Sequence, residues 1–226
     1  VGIIALEEDW KRTVDGIVSI EANDRLYIEE IRDKYDEDTL DGLFKKMTSE
    51  DKVYIHAHFG MNDIDEVFSK LRYIIVGCEC KWVIVDHLHM LVSSLSEGDE
   101  RRAIDNIMTQ LRSIVEETGV GLMLVSHLRR VGGNEGHENG VEVNLSHLRG
   151  SQSIAQISDC VIALERNQQA DDPIEANTTK LRVLKSRYTG DVGLACSLYY
   201  DPNTGRLSEV QHEVDNGDLE FDNIPF

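Results

Sequence analysis

The sequence is short of cysteine, proline and positive charge, and each shortage excludes something. Its four cysteines are Cys78, Cys80, Cys160 and Cys196. The one close pair is separated by a single residue, where metal hooks favour two, so neither a cysteine-held metal nor a disulfide framework is expected. Reduced thiols fit an intracellular chain. Three prolines are too few for a stiff linker. Basic residues number 23 against 42 acids, a net charge of −19. Phosphates are repelled at long range by such a chain, so any nucleic-acid contact has to be a local basic patch. No run approaches the ~20 apolar residues of a membrane helix, and no membrane partner is expected. None of the nine lysines follows a glycine. The phosphate cradle Gly-x-x-x-x-Gly-Lys-Ser/Thr is therefore missing, and the chain as given should bind nucleoside triphosphate poorly.

What remains is 226 residues, 41% hydrophobic and 6% aromatic. That excludes coiled coil, collagen and disorder, and describes one acidic domain with a core of ordinary size. Apolar runs at 1–6, 53–56, 82–85 and 120–125 alternate with helical periodicity over 10–20, 64–76 and 101–118. Repeated βα units predict an α/β fold with a mostly parallel sheet covered on both faces, and function at the carboxyl ends of the strands. The segment 127–144 is rich in glycine and poor in apolar residues, which predicts a long surface loop. A short helix near 151–157 and β-rich runs at 160–164, 178–184 and 194–200 follow, and they read as antiparallel additions to the sheet. From Glu209 onward there are six acids and no Lys or Arg, which predicts a disordered acidic tail over 209–226 behind a domain of 1–208. Val1 opens into an apolar run with neither an initiating Met nor a charged leader, which implies a start inside a larger gene product.

Several strand tips carry chemistry. Trp82-Val83-Ile84-Val85-Asp86 ends an apolar strand in a carboxylate, as an NTPase does to hold Mg²⁺ on the terminal phosphates, although turn capping explains a lone Asp as well. Glu7 ends the first run and could deprotonate an attacking water, while Glu8 and Asp9 suit the positive end of the next helix in any protein. His127 ends the fourth run as a neutral donor able to sense a terminal phosphate. Glu7, Asp86 and His127 all fall on one edge of one sheet, and that convergence outweighs any single residue. Lys185 and Arg187 share a face by alternation, which suits either an exposed edge strand or charge stabilisation of phosphoryl transfer. The pairs His56-Ala57-His58 and His87-Leu88-His89 have metal-ligand spacing and leave a hydrolase metal centre open as a rival reading. A barrel hydrolase would need more βα units than are present.

Taken in order, Leu6-Glu7-Glu8, Val83-Ile84-Val85-Asp86-His87, Val125-Ser126-His127-Leu128, Leu148-Arg149-Gly150-Ser151, Ser158-Asp159, Ile162 to Gln169 and Lys185-Ser186-Arg187-Tyr188-Thr189-Gly190 resemble the helicase domain of bifunctional phage primase-helicases. These belong with the DnaB-like and Twinkle ring helicases. The resemblance implies a RecA-like core and a homo-hexameric ring in the cytoplasm of a phage-infected bacterial cell. It also implies ATP or dTTP with Mg²⁺ as cofactors, and 5′ to 3′ movement on single-stranded DNA during genome replication. It makes Glu7 the catalytic base, Asp86 the Mg²⁺-associated acid, His127 the γ-phosphate sensor and Gln156 a second switch residue. Arg187 becomes the arginine finger donated in trans, with Lys185 its companion. Arg166 and Tyr200 become a clamp on the nucleotide base, a sound use of a guanidinium and an aromatic face.

Arg129, Arg130, Arg149, Gly150 and Ser151 would face DNA in the ring's pore, which reconciles DNA binding with an acidic exterior. Glu135, Glu138 and Glu142 stand in that loop where relatives often have lysine. The tail ending in Phe226 resembles those that engage DNA polymerase, although solubility alone would explain its charge. The resemblance further implies a partial helicase domain whose phosphate-loop βα unit lies upstream, inactive alone. The alternatives are a RecA-like recombinase or regulatory ring ATPase, and a non-catalytic module that binds DNA or polymerase.

Overall fold

The computed structural model describes residues 1–48, 53–57, 63–93, 95–130, 136–150 and 152–210. His58, Glu135, Ser151 and the tail beyond residue 210, with Phe226, lie outside the described residues. Strands β1 (Gly2–Ala5), β2 (Tyr54–Ala57), β3 (Trp82–Asp86) and β4 (Gly121–Leu124) form a parallel sheet in the order β2-β1-β3-β4. Ile4 lies opposite Val85, and Val85 opposite Leu124.

Between β1 and β2 run α1 (Trp10–Ala22), α2 (Glu29–Arg32) and α3 (Glu37–Thr48), between β2 and β3 runs α4 (Ile64–Arg72), and between β3 and β4 runs α5 (Glu97–Thr118). Helix α1 starts where the Asp9 carboxylate accepts the Lys11 N–H, and ends at Asn23 in the left-handed region. In α5, Ile104, Ile107, Met108, Leu111 and Ile114 recur at helical spacing and none is more than 5% exposed. They pack with Ile4, Val83 and Val85 of the sheet and Val67, Phe68 and Leu71 of α4 in one core. Each such side chain, fully buried, contributes about 1.5–3 kcal/mol. The βα pattern is thus realised as expected.

Four local expectations differ. The helix expected over 64–76 ends at Arg72 and widens into a π turn, Tyr73–Gly77, while α5 begins at Glu97 rather than near 101. His87-Leu88-His89 is not extended, because Leu88–Leu91 winds into a 3₁₀ turn that buries Leu88 and Leu91 in the core. The C-terminal strands do not extend the parallel sheet. After α6 (Ser153–Ile157), strands β5 (Cys160–Arg166), β6 (Thr178–Ser186), β7 (Gly193–Tyr200) and β8 (Leu207–Glu209) pair in sequence order as a second, antiparallel sheet, with α7 (Pro173–Ala176) between β5 and β6. Short connections let each strand find its ladder partner in its neighbour in the chain.

Candidate functional site

Because β1, β3 and β4 are adjacent and parallel, their carboxyl ends share one edge. The ladder continues past the strands: Leu6 N–H donates to the Asp86 carbonyl at 2.7 Å and Leu88 N–H to the Val125 carbonyl at 3.0 Å. Glu7, Asp86 and His127 are thereby brought together, as the strand-tip argument expected, and His87 joins them. The His87 Nε2 donates to the Glu7 carboxylate at 3.1 Å. The His87 ring stacks on His127 with centroids 3.8 Å apart, and His89 lies 5.8 Å from His127. Glu8 instead accepts the Thr13 hydroxyl at 2.7 Å, so it serves the start of α1.

Burial pushes the Asp86 carboxyl above its ordinary value, with Glu7 and Glu8 acting the same way. Excess negative charge on a half-buried oxygen ligand suits a hard divalent cation such as Mg²⁺, so the residues present fit that ion. Burial lowers both His87 and His89, with the neighbouring His127 adding to the shift of His87.

Lys185, Arg187 and Gln156 also meet, but within one subunit. Lys185 Nζ donates to the carbonyls of Ala155 at 2.6 Å, Gln156 at 3.0 Å and Ser158 at 2.8 Å. Arg187 donates to the Gln156 carbonyl at 3.1 Å and pairs with Asp159 at 2.7 Å, and Asp159 also takes Arg112 at 2.6 Å. The two cations share a face as alternation required, yet they cap the end of α6 instead of standing free on an edge. Arg166 is fastened by the Ala176 carbonyl at 2.6 Å and the Asn177 side chain at 2.9 Å. Tyr200 N–H donates to the Asn177 carbonyl at 2.9 Å, and its hydroxyl meets that of Tyr27 at 3.1 Å. Arg166 and Tyr200 therefore lie near one another through Asn177.

The 127–144 loop is stapled at its base. Arg129 N–H donates to His147 O at 2.8 Å and Arg149 N–H to His127 O at 3.1 Å, around a bridge between Leu128 and Leu148. Arg129 and Arg130 are exposed, and Arg149 pairs with Glu100 at 3.5 Å. Gly150 has φ +98, in the region that favours glycine. The far side of the loop is anchored by Glu165, buried at 5% exposure, which accepts Val143 N–H at 2.8 Å and Arg182 Nε at 2.9 Å. Arg182 also pairs with Glu142 at 3.1 Å, so that acid in the loop is balanced internally.

Sequence reasoning missed His87 as the partner of Glu7, Glu165 as the loop anchor and Asp159 as the partner of Arg187. Glu165 did leave a signal: a charged residue two beyond Ala163 in a strand shares its face.

A family model described as the DnaB-like helicase C-terminal domain matches residues 1–209. The DNA helicase/primase of Enterobacteria phage T3 is 34% identical over 220 residues, covering 96% of this chain and 38% of that protein. The chain thus spans well under half the length of that relative. A solved ATPase domain superposes with a TM-score of 0.70 at 21% identity, covering 93% of this chain and 74% of the other. A DnaB-like replicative helicase solved with regard to its interactions with primase gives 0.69 at 20% identity, covering 93% and 51%. At such identities these two likenesses speak to the fold, which is RecA-like.

Proposed function

We propose, from the premise that this chain belongs to the family of DnaB-like helicase C-terminal domains, that it is the larger part of the motor of a replicative DNA helicase. In this reading a homo-hexamer hydrolyses ATP or dTTP at subunit interfaces, moves 5′ to 3′ on single-stranded DNA and unwinds duplex DNA in phage genome replication. The observation that carries it is the meeting of Glu7, Asp86, His87 and His127 on one sheet edge, with Glu7 held at 3.1 Å from His87.

Glu7 accepts the proton of the attacking water, and the His87 N–H orients its carboxylate. Asp86 would hold Mg²⁺, which supplies neutralising charge at the terminal phosphates. In this reading His127, exposed beside His87, donates to a terminal phosphate and reports it through its backbone bond with Arg149. Gln156 acts as a second switch residue that couples nucleotide state to the DNA-facing loops. Arg187, released from Asp159, reaches the neighbouring subunit's nucleotide with Lys185 beside it. Arg166 and Tyr200 hold the base. Arg129, Arg130, Arg149, Gly150 and Ser151 contact DNA phosphates, and the tail ending in Phe226 contacts DNA polymerase.

The test is Glu7→Gln in the full-length gene product. Loss of a general base should lower single-strand-stimulated hydrolysis by about 10²–10⁴-fold with DNA binding kept. Unchanged hydrolysis refutes the role of Glu7. The alternative is a non-catalytic module that binds DNA or polymerase. That reading wins if Glu7→Gln leaves replication unaffected.

A further inference from the structure

We infer that His87, His89 and His127 form a three-imidazole site for a transition-metal dication of the Zn²⁺ class, separate from the oxygen ligand proposed for Mg²⁺. Among the described residues these three form a cluster whose ligand atoms all lie within 4.8 Å of one another. Imidazole nitrogens suit Zn²⁺, Co²⁺, Ni²⁺ or Cu²⁺ and are poor ligands for Mg²⁺.

The surroundings are those of a metal site. Metal-binding histidines usually donate their second ring N–H to a carboxylate or a backbone carbonyl, which turns the other nitrogen's lone pair toward the ion. His87 Nε2 is on the Glu7 carboxylate at 3.1 Å, and His89 Nε2 is on the Arg149 carbonyl at 3.0 Å. Both acceptors select the same tautomer and leave Nδ1 as the lone-pair nitrogen. The Nδ1 of His87 is buried and has no hydrogen-bond partner, in a residue only 4% exposed. A buried orphan of that kind is costly unless something occupies it. The Nδ1 of His89 receives only a long contact, 3.4 Å, from the His127 backbone N–H.

Ligand nitrogens around a tetrahedral zinc sit about 3.3 Å apart, so the cluster has to tighten. His127 supplies the movement: its side chain is exposed, and the torsion of an imidazole about its Cβ–Cγ bond is broad. The stacked pair opens as His127 turns its nitrogen toward the ion, and its exposed side leaves the entry path and the fourth ligand position. Occupancy would fix His127 and strengthen the His87 N–H bond to Glu7, slowing hydrolysis. This consequence rests on the helicase reading, whereas the site does not.

The experiment titrates the chelator-treated 226-residue chain with Co²⁺ and then Zn²⁺. The expected result is one equivalent of Co²⁺ with the visible absorption of nitrogen-ligated tetrahedral cobalt, displaced by Zn²⁺. Imidazole ¹⁵N resonances of His87, His89 and His127 should shift together. His89→Asn should weaken binding at least about tenfold. Because His89 is buried, Glu7→Gln on the exposed side provides a second variant, with a similar loss expected from an unoriented His87. A thiolate-to-cobalt charge-transfer band, shifts confined to His137 and His147, or undiminished binding by folded His89→Asn would each overturn the site. Zinc binding that leaves hydrolysis by the full-length protein unchanged supports the site and refutes only its link to Glu7.

Discussion

Replacing Gly150 by alanine should disturb the DNA-facing segment through the hydrophobic core. A Cβ at Gly150 would lie 2.4 Å from Ile104 Cδ1 and 3.6 Å from His89 Nε2. The first distance is about 1 Å short of ordinary carbon contact. Ile104 cannot yield easily, being fully buried in the middle of α5. The backbone at φ +98 adds strain of about 1–3 kcal/mol for any residue with a side chain, and overpacking a core costs about 1–3 kcal/mol. Partial relief by movement of the segment brings the expected loss to about 2–4 kcal/mol. That movement pulls the Arg149 carbonyl off His89 and Arg149 N–H off His127.

Urea unfolding of a double-mutant cycle separates the two causes. Ile104→Val removes Cδ1 and by itself costs about 0.5–1.5 kcal/mol. Combined with Gly150→Ala it should recover the steric part, giving a coupling of about 1–3 kcal/mol and leaving the strain of the positive φ. If Gly150→Ala lies within about 0.5 kcal/mol of the parent, or the two losses simply add, the reasoning from contact distance is wrong. In the full-length protein the single variant should also weaken single-stranded DNA binding, and Ile104→Val should partly restore it.

Glu165→Ala leaves the Val143 N–H and the Arg182 guanidinium without their shared acceptor, and should cost about 1–3 kcal/mol while raising hydrogen exchange at Val143; exchange equal to the parent's refutes the anchor. Acid should destabilise the fold through two capped turns. The Asp36 carboxyl is held below its ordinary value by the Thr39 N–H, and that of Asp201 by the Asn203 N–H and the Thr204 hydroxyl. A carboxylate depressed on folding contributes stability that is fully present above its unfolded value near pH ~4 and is lost as pH falls through the folded value. The denaturant midpoint of the Asp36→Asn, Asp201→Asn variant should therefore fall less steeply than the parent's below pH ~4; equal slopes refute the assignment.

Much of the fold was legible because its signals are local. Helical spacing of apolar residues from Ile104 to Ile114, and apolar runs such as Trp82–Asp86 ending in an acid, specify elements whichever partners they meet. Their positions at the carboxyl ends of apolar runs then placed Glu7, Asp86 and His127 on one edge once the strands were taken as parallel. The ordered motifs gave the family for the same reason, since they are read along the chain.

Tertiary structure decided what depends on register and on residues far apart in sequence. Strand β5 turns Ala163 and Glu165 inward and leaves Ile162 and Leu164 at 52% and 64% exposure, against what hydrophobicity alone would choose. Glu165 can be buried there because Arg182, from the neighbouring strand, and the Val143 N–H, from the loop, arrive to satisfy it. Lys185 and Arg187 shared a face by alternation, but only the position of α6 turned them into a cap on its carbonyls. His87, His89 and His127 were two unrelated signals in the sequence. The parallel pairing of β3 with β4 and the 3₁₀ turn after β3 made them one cluster, because a contact between positions ~40 residues apart is fixed by packing and not by any local preference.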